Sequence, residues 1–523
     1  MALQIHERTA PATVPAHIDV AVIGSGFAGL TTAVRLKEAG RDFIVLERAD
    51  ELGGTWRDNT YPGCECDVPS HLYSFSFAPN PDWSQSFSPQ GEILGYMKQT
   101  AAAHGLMPHI AFGTGVRSAR WDADAQLWRL ETTRGPLSAS VVVAGTGGLS
   151  EPSIPDIPGL DRFEGTMFHS ATWRHDHALS GERAAVIGTG ASAIQFVPHV
   201  QREAARMTLF QRTPPWVLPR RNRNLGRFER WLYRHVPLVQ KLARAAIYWG
   251  RETWVFGFTV RPAIMQIAEP QAMRFLRKQV PDRELRQKLR PRYCLGCKRV
   301  LMSNDYYPAL TQDNVDVVTD PIVEVRPHAV VTRQGERLVE HPVDTIIFGT
   351  GFRVTDPPVA QYVFDGDGRT LAEHWADGMS ALHGLTVTGF PNLFLLVGPN
   401  TGLGHTSIVV MIEAQVDYLM DALRQMKERG LGTIEPRPEV QRRYNEALQR
   451  DLEGTVWNAG GCVSWYLDAR GRNTTLWPTF TFTFKRMLRR CDLNDYLVQP
   501  LVSRARRRDL VEEPATHREV AST

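Results

Sequence analysis

The feature that most constrains the fold is a strand, a glycine-rich turn, a helix and a second strand in immediate succession, and it occurs twice. In the first copy, residues 18–23 form a short apolar run of the kind that makes a buried parallel strand. Gly24-Ser25-Gly26-Phe27-Ala28-Gly29 follows at once, then a helical pattern over residues 30–39 and a second run, residues 42–46, ending at Glu47. Gly24 permits the tight turn, Gly26 lets backbone approach a pyrophosphate, and Gly29 lets helix and strand pack closely. The helix N-terminus presents unpaired N–H groups to phosphates. Glu47 stands where a carboxylate accepts hydrogen bonds from ribose hydroxyls. A glycine loop alone is a weak signal; strand, helix and acidic residue in order make it specific for a dinucleotide.

The second copy starts with the strand at residues 183–187. Its loop, Gly188-Thr189-Gly190-Ala191-Ser192-Ala193, ends in Ala rather than Gly, a variant the fold tolerates. The next strand, residues 207–210, runs into Gln211-Arg212-Thr213. No carboxylate stands where NAD wants one. Arg212 instead offers a planar fork suited to a 2′-phosphate, so the expected ligand is NADPH; an ordinary solvated arginine is the alternative.

A chain of 523 residues is too long for one core, so two or three domains are expected. Its 43% hydrophobic and 22% charged residues read as soluble and globular, and a formal charge of +4 gives no case for nucleic acid. Residues 1–8 have no signal-peptide core, and the most apolar stretch, residues 245–260, is broken by Arg251 and Glu252. The expectation is a cytoplasmic protein with no integral membrane segment. Six cysteines do not suggest a disulfide scaffold. Cys64-x-Cys66 and Cys294-x-x-Cys297 lack the spacing partners of a zinc ribbon, so no metal is expected.

Between and after the two units the chain reads in blocks. Residues 110–128 look like strands with turns, residues 141–147 like a strand returning to the first nucleotide site, and the Pro-rich residues 151–159 like a linker. From residue 222 to about 310, apolar residues such as Phe228, Trp231, Leu232, His235 and Val236 recur at helical spacing among many arginines. This reads as a helical insertion. A basic amphipathic helix can touch a membrane surface, but a solvated face over an apolar core is the preferred reading. Residues 345–348 are a strand ahead of Gly349-Thr350-Gly351-Phe352, and residues 393–397 a strand ahead of Gly398-Pro399-Asn400-Thr401-Gly402-Leu403-Gly404-His405 and a helix. The basic run at residues 504–508 reads as a disordered end.

Several motifs resemble those of the Baeyer–Villiger monooxygenases, class B flavoprotein monooxygenases. Phe163-x-Gly165-x-x-x-His169-x-x-x-Trp173 is similar to that family's fingerprint, with Arg174 following where Pro or Asp is usual. Gly53-Gly54-Thr55-Trp56, Tyr61-Pro62-Gly63 and Asp67 match a second family pattern at each specified position, and Lys298-Arg299 resembles its Lys-Arg step. The resemblance extends over residues 18–496. It implies FAD on the first unit and NADP on the second, with Gly54, Thr55, Trp56, Asp67, Tyr73, Asn400 and Leu403 near the flavin. It likewise implies Lys298 near the NADP phosphate and Trp465 near the nicotinamide ribose. The helix after His405 is expected to aim its positive end at the flavin pyrimidine.

The expected fold is α/β: two Rossmann-like dinucleotide-binding domains, for FAD and NADP, with a helical insertion in the NADP domain. The expected division is 1–150 and 385–523 for the FAD domain, 151–221 and 319–384 for the NADP domain, and 222–318 for the insertion. The family chemistry is insertion of one oxygen from O2 next to a ketone carbonyl through a C4a-peroxyflavin, giving an ester or lactone. Arg299 and Asp67 are the expected catalytic residues, and His169 and Trp173 the residues that couple the domains. A monomer or weak homo-oligomer is expected. The alternative is a class B enzyme that oxygenates nitrogen or sulfur, against which Trp173 and the loop at residues 53–67 argue. A pyridine-nucleotide disulfide reductase needs a better redox pair than Cys64-x-Cys66.

Overall fold

A computed structural model describes residues 13–502. The N-terminal segment 1–8 and the basic run 504–508 lie outside the described residues. Two sheets dominate, the first mixed, with antiparallel pairing along Val116–Asp122, Leu127–Thr132 and Gly135–Ala144, and the second parallel throughout. The first carries the strands Val363–Phe364, Val116–Asp122, Leu127–Thr132, Gly135–Ala144, His17–Ile23, Phe43–Leu46 and Ile110–Ala111 in that order, with Leu393–Leu395 also on Gly135–Ala144. His17–Ile23 lies parallel between Phe43–Leu46 and Gly135–Ala144, with Val20 opposite both Phe43 and Val141. Buried on both faces, it needs the near-continuous apolar run the sequence shows. The second sheet is five parallel strands: Val315–Val318, Arg206–Phe210, Arg183–Ile187, Thr345–Phe348 and Thr166–His169. A three-stranded antiparallel sheet, Ile322–Arg326, Ala329–Gln334 and Arg337–Pro342, stands beside it.

Each glycine loop leaves the end of a central strand and enters a helix, Phe27–Glu38 in the first unit and Ala193–Glu203 in the second. A Cβ on Gly29 would come within 1.8 Å of the Gly24 carbonyl oxygen, so the turn closes on the helix only with glycine there. Helix Ile408–Arg429 packs against Phe27–Glu38. The Ser407 hydroxyl accepts from the Val409 N–H, Gly430 ends the helix at φ 63°, and Lys427 and Arg429 sit in the last turn where the dipole favours them.

The domains interleave differently from the expected division. Strand Val315–Val318, assigned from sequence to the insertion, is an edge strand of the second sheet, in register with Arg206–Phe210. Strand Val363–Phe364, assigned to the NADP domain, pairs with Val116–Asp122 in the first sheet, and Val359, Leu371 and Trp375 share that sheet's core. The chain returns to the first domain before residue 385. Short strands carry too few residues for their pattern to name a partner sheet. The insertion is helical at Arg227–His235, Pro237–Glu252, Ala263–Gln279 and Arg283–Lys288. Instead of the expected solvated face over an apolar core, these helices turn large apolar side chains to solvent.

Candidate active site

The first glycine loop is closed by its own carboxylate. Glu47 is buried, and its oxygens accept from the Ser25 N–H at 2.9 Å, the Ser25 hydroxyl at 2.6 Å and the Ala49 N–H at 3.0 Å. Arg57, a residue the sequence reading passed over, forms an ion pair with Glu47 at 2.9 Å. Burial alone would raise the Glu47 carboxyl; the Ser25 and Ala49 hydrogen bonds and the Arg57 charge outweigh it and hold it below the usual carboxylate range. Thr55 and Trp56 open the short helix Thr55–Asp58 directly after Gly54. The Trp56 Nε1–H donates to the Tyr73 hydroxyl at 3.0 Å, and Tyr73 stands edge-on to Phe27 at the start of the nucleotide helix.

In the second unit Gly188, Gly190, Ala191 and Ser192 lead into helix Ala193–Glu203. The Thr189 hydroxyl donates to the Thr213 carbonyl at 3.1 Å, tying the loop to the end of strand Arg206–Phe210. Arg212 is exposed there. Burial first, and the Arg212 charge second, lower the Lys298 pKa, so two cations from distant segments act on one another. The Lys298 ammonium also lies 5.3 Å from the Tyr293 ring centroid.

Between the two units Asp67 and Arg299 meet. Arg299 Nε donates to Asp67 Oδ2 at 2.6 Å and Nη2 to Oδ1 at 2.7 Å, a fork on a fork, while Nη1 donates to the Leu403 carbonyl at 3.3 Å. Burial pushes the Asp67 carboxyl up, but the Arg299 charge and hydrogen bonds prevail and hold it below its ordinary value. Asp67 in turn raises Arg299 above the ordinary arginine value, so the cation is fixed. The pair lines a small cleft walled by Val68, Leu218, Met302 and Gly404.

The fingerprint runs along the junction. Phe163 is buried in the second domain, and Gly165 lies against the Asp344 carbonyl with no room for a side chain. His169 ends strand Thr166–His169; its Nδ1 accepts from the Ala171 N–H at 3.1 Å and its ring meets Phe352 edge-on. Burial drives its pKa down to about 4, so it is neutral at pH 7. Trp173 packs between Phe168 and Phe196, and Tyr61 of the first domain's loop meets the same Phe196. The Tyr61 hydroxyl donates to Gln195 Oε1 at 3.0 Å. Arg174 turns outward and pairs with Asp176.

Of the three tryptophans near residue 465, Trp457 and Trp477 are core residues, packed on Phe258 and Phe484. Trp465 is exposed and stacks at a tilt on Tyr466. Asn400 is buried, with Nδ2 donating to the Asn473 and Leu476 carbonyls at 2.8 and 3.1 Å, and Leu403 supplies the carbonyl under Arg299.

Comparison with known proteins decides the class. The model of the flavin-binding monooxygenase-like family matches residues 17–244. A Baeyer–Villiger monooxygenase of Streptomyces coelicolor is 52% identical over 497 residues, 95% of this chain and 93% of that protein. The chain belongs to the Baeyer–Villiger monooxygenases. A second member, from Pseudomonas aeruginosa, is 48% identical over 92% of this chain and 91% of its own. Among solved structures, OTEMO complexed with FAD and NADP superposes with a TM-score of 0.82 at 26% identity, covering 92% of this chain and 99% of its own. Closed cyclohexanone monooxygenase gives 0.81 at 28% identity, with 92% and 99% covered.

In this Baeyer–Villiger monooxygenase several neighbours of the site were not found from sequence. Arg251, on helix Pro237–Glu252, lines the same cleft as Asp67 and Arg299. Burial lowers its pKa, and Asp67 and Arg299 act on it in opposite directions. Next to it, buried Glu252 accepts from the Thr481 hydroxyl and, at 3.1 Å, from the Thr481 N–H, with His405 Nε2 at 3.4 Å. Cys297, adjacent to Lys298, forms a disulfide with Cys462, three residues before Trp465. The even cysteine count left room for that bond but gave no signal for the pairing. In the sequence Arg251 and Glu252 show only as breaks in an apolar run.

Proposed function

We propose that the Asp67–Arg299 cleft is where this enzyme inserts one oxygen atom from O2 next to a ketone carbonyl, with FAD and NADPH as cofactors. The observation that carries the reading is the forked ion pair itself, which joins Asp67 after the first nucleotide unit to Arg299 after the second. The residues fit both groups. A Cβ on Gly54 would stand 3.2 Å from the Gly26 Cα, so bare backbone from two loops is available to a pyrophosphate, and Glu47 is ionised for ribose. Asn400 Oδ1 is buried with no hydrogen-bond partner among the described residues, an acceptor that a flavin N–H can satisfy. Gly188, Gly190, Ala191 and Ser192 would hold the NADP pyrophosphate, Arg212, Thr213 and Lys298 its 2′-phosphate, and Trp465 its nicotinamide ribose.

Bound there, FAD would supply the hydride acceptor for NADPH and the site of O2 activation. The protein's part is electrostatic. Arg299 would offset the negative charge on the attacking oxygen and then on the former carbonyl oxygen, in a cleft that sets Val68, Leu218, Val300 and Met302 beside the charged groups. Asp67 aims the guanidinium, and Arg251 adds a second positive charge. Both nucleotide loops and the ion pair come from one chain, which supports a monomer or weak homo-oligomer as the working unit. NADPH dependence supports a cytoplasmic site of action. The test is incubation with NADPH, labelled oxygen and linear, cyclic, aromatic and steroid ketones. One labelled oxygen in an ester or lactone product is expected. Oxygenation of amines or sulfides with no ester from any ketone would overturn the reading.

A further inference from the structure

Helix Pro237–Glu252 lies on the molecule inside out. Leu238, Leu242, Ala245 and Trp249 recur at i, i+4, i+7 and i+11, which makes one stripe, and that stripe faces solvent. Leu238 is 63% exposed, Leu242 60% and Trp249 56%. The side turned to the protein is largely polar. The Gln240 amide donates to the Asn80 carbonyl at 2.6 Å, and Arg244 donates to the His71 and Ser74 carbonyls at 2.7 and 3.0 Å. A helix of a water-surrounded domain normally turns its apolar stripe to the core.

The neighbours extend the face. Phe228 and Trp231 of helix Arg227–His235 stack on each other, with Phe228 73% exposed. Trp249 meets Phe482, Phe482 meets Phe480, and Phe480 meets Phe256, a continuous chain of rings with centroids 5.0–5.8 Å apart. Val260, Ile264 and Ile267 carry the apolar surface into the next helix, with Ile267 78% exposed. Patches of this extent mark interaction sites.

Charge selects the partner. Residues 227–279 hold ten Lys or Arg against three Glu, a formal +7 inside a chain of formal +4. Glu229 pairs with Arg223, Glu252 is buried and Glu269 accepts from the Leu295 N–H, while of the cations Arg234 pairs with Asp82. Arg227, Lys241 and Arg261 are exposed among the apolar residues and form no ion pair among the described residues. Exposed Trp, Phe and Leu interleaved with Arg and Lys suit the boundary between acyl chains and anionic headgroups. We infer that this face of the insertion docks on an anionic lipid surface. Trp254 belongs to both the exposed face and the wall of the Asp67–Arg299 cleft. A ketone dissolved in the lipid therefore reaches the cleft without crossing bulk water, a consequence that rests on the activity proposed above, whereas the docking does not.

The test is flotation of the purified, FAD-loaded enzyme with vesicles, read by protein position and not by turnover. Vesicles of equal phosphatidylcholine and phosphatidylglycerol should carry the enzyme up the gradient, and phosphatidylcholine alone should carry much less. Added salt should weaken the binding. The double variant Leu242→Glu/Trp249→Glu should bind the mixed vesicles about tenfold less or weaker still, while its NADPH oxidation with a water-soluble ketone matches the parent. Equal flotation of parent and variant, equal flotation on neutral vesicles, or none at low salt would overturn the proposal. So would a parent that dimerises without vesicles beside a monomeric variant, which would make a second copy the occupant.

Discussion

Arg299 holds a charge that no accessible pH removes, and Asp67 holds that charge in one direction. Arg299→Ala is expected to retain FAD and some hydride transfer but to lose about 10²–10³ in ester formation, with NADPH consumed and hydrogen peroxide released. Product analysis against peroxide assay checks this, and normal ester yield would remove Arg299 from the chemistry. Asp67→Ala should give a milder form, since it orients the charge without supplying it. At the second loop Arg212 and Lys298 are the two cations proposed for the 2′-phosphate, and the Arg212 charge acts on Lys298. A charge-assisted phosphate contact is worth about 1.5–3 kcal/mol, so losing Arg212 should cut the preference for NADPH over NADH by one to two orders of magnitude at most. Lys298 should blunt the single variant, and Arg212→Ala/Lys298→Ala should show the larger loss. Comparing kcat/KM for the two coenzymes measures it, and a parent enzyme indifferent to the phosphate would overturn the assignment.

Strand Thr166–His169 and the turn after it reach from the second domain to the first, where Thr60 hydrogen-bonds His175. Trp173 and Tyr61 grip Phe196 from opposite sides of the junction, and His169 abuts the return loop at Phe352. A neutral, buried imidazole is suited to holding this junction, not to donating protons to substrate. His169→Ala and Trp173→Ala should slow the cycle by about one to two orders of magnitude through misplacement of the two cofactors, with FAD still bound. Trp173→Phe should recover much of the loss. Stopped-flow separation of hydride transfer from oxygenation, together with flavin content, checks this; full turnover and coupling in both alanine variants would make the element a structural support only.

Across the molecule, burial acts on histidines in one direction. His71, His169 and His383 are each pushed down from 6.5 to about 4 by burial. The folded state keeps them neutral while the unfolded chain protonates them as pH falls below 6.5, so folding loses stability through the window from about 6.5 to about 4 and is insensitive to these groups above it. The slope is about 1.4 kcal/mol per pH unit for each histidine in mid-window. Urea midpoints at pH 7.5 and 5.5 should therefore differ, and less so for a His71→Asn variant; identical pH dependence in parent and variant would contradict the burial argument.

Both nucleotide loops were legible in the chain, because a tight turn, a bare backbone and a helix N-terminus are demands on adjacent residues. The strands His17–Ile23 and Thr345–Phe348 could be found for a related reason: a strand covered on both faces must be apolar throughout. Asp67 and Arg299 were singled out by motif, but their contact spans 232 residues and only the folded chain brings the two forks face to face. The same holds for Cys297 and Cys462, 165 residues apart, and for Arg251 and His405, whose place beside the cleft depends on how the insertion folds over it. Helical periodicity marks a stripe on residues 237–252, but not which side the rest of the chain covers. That was decided by tertiary packing, which buried Gln240 and left Leu242 and Trp249 outside. The sequence thus determined the local units and the chemistry they can carry, and the tertiary structure decided which distant charges meet and which apolar face remains free, because both depend on contacts between segments that no local pattern encodes.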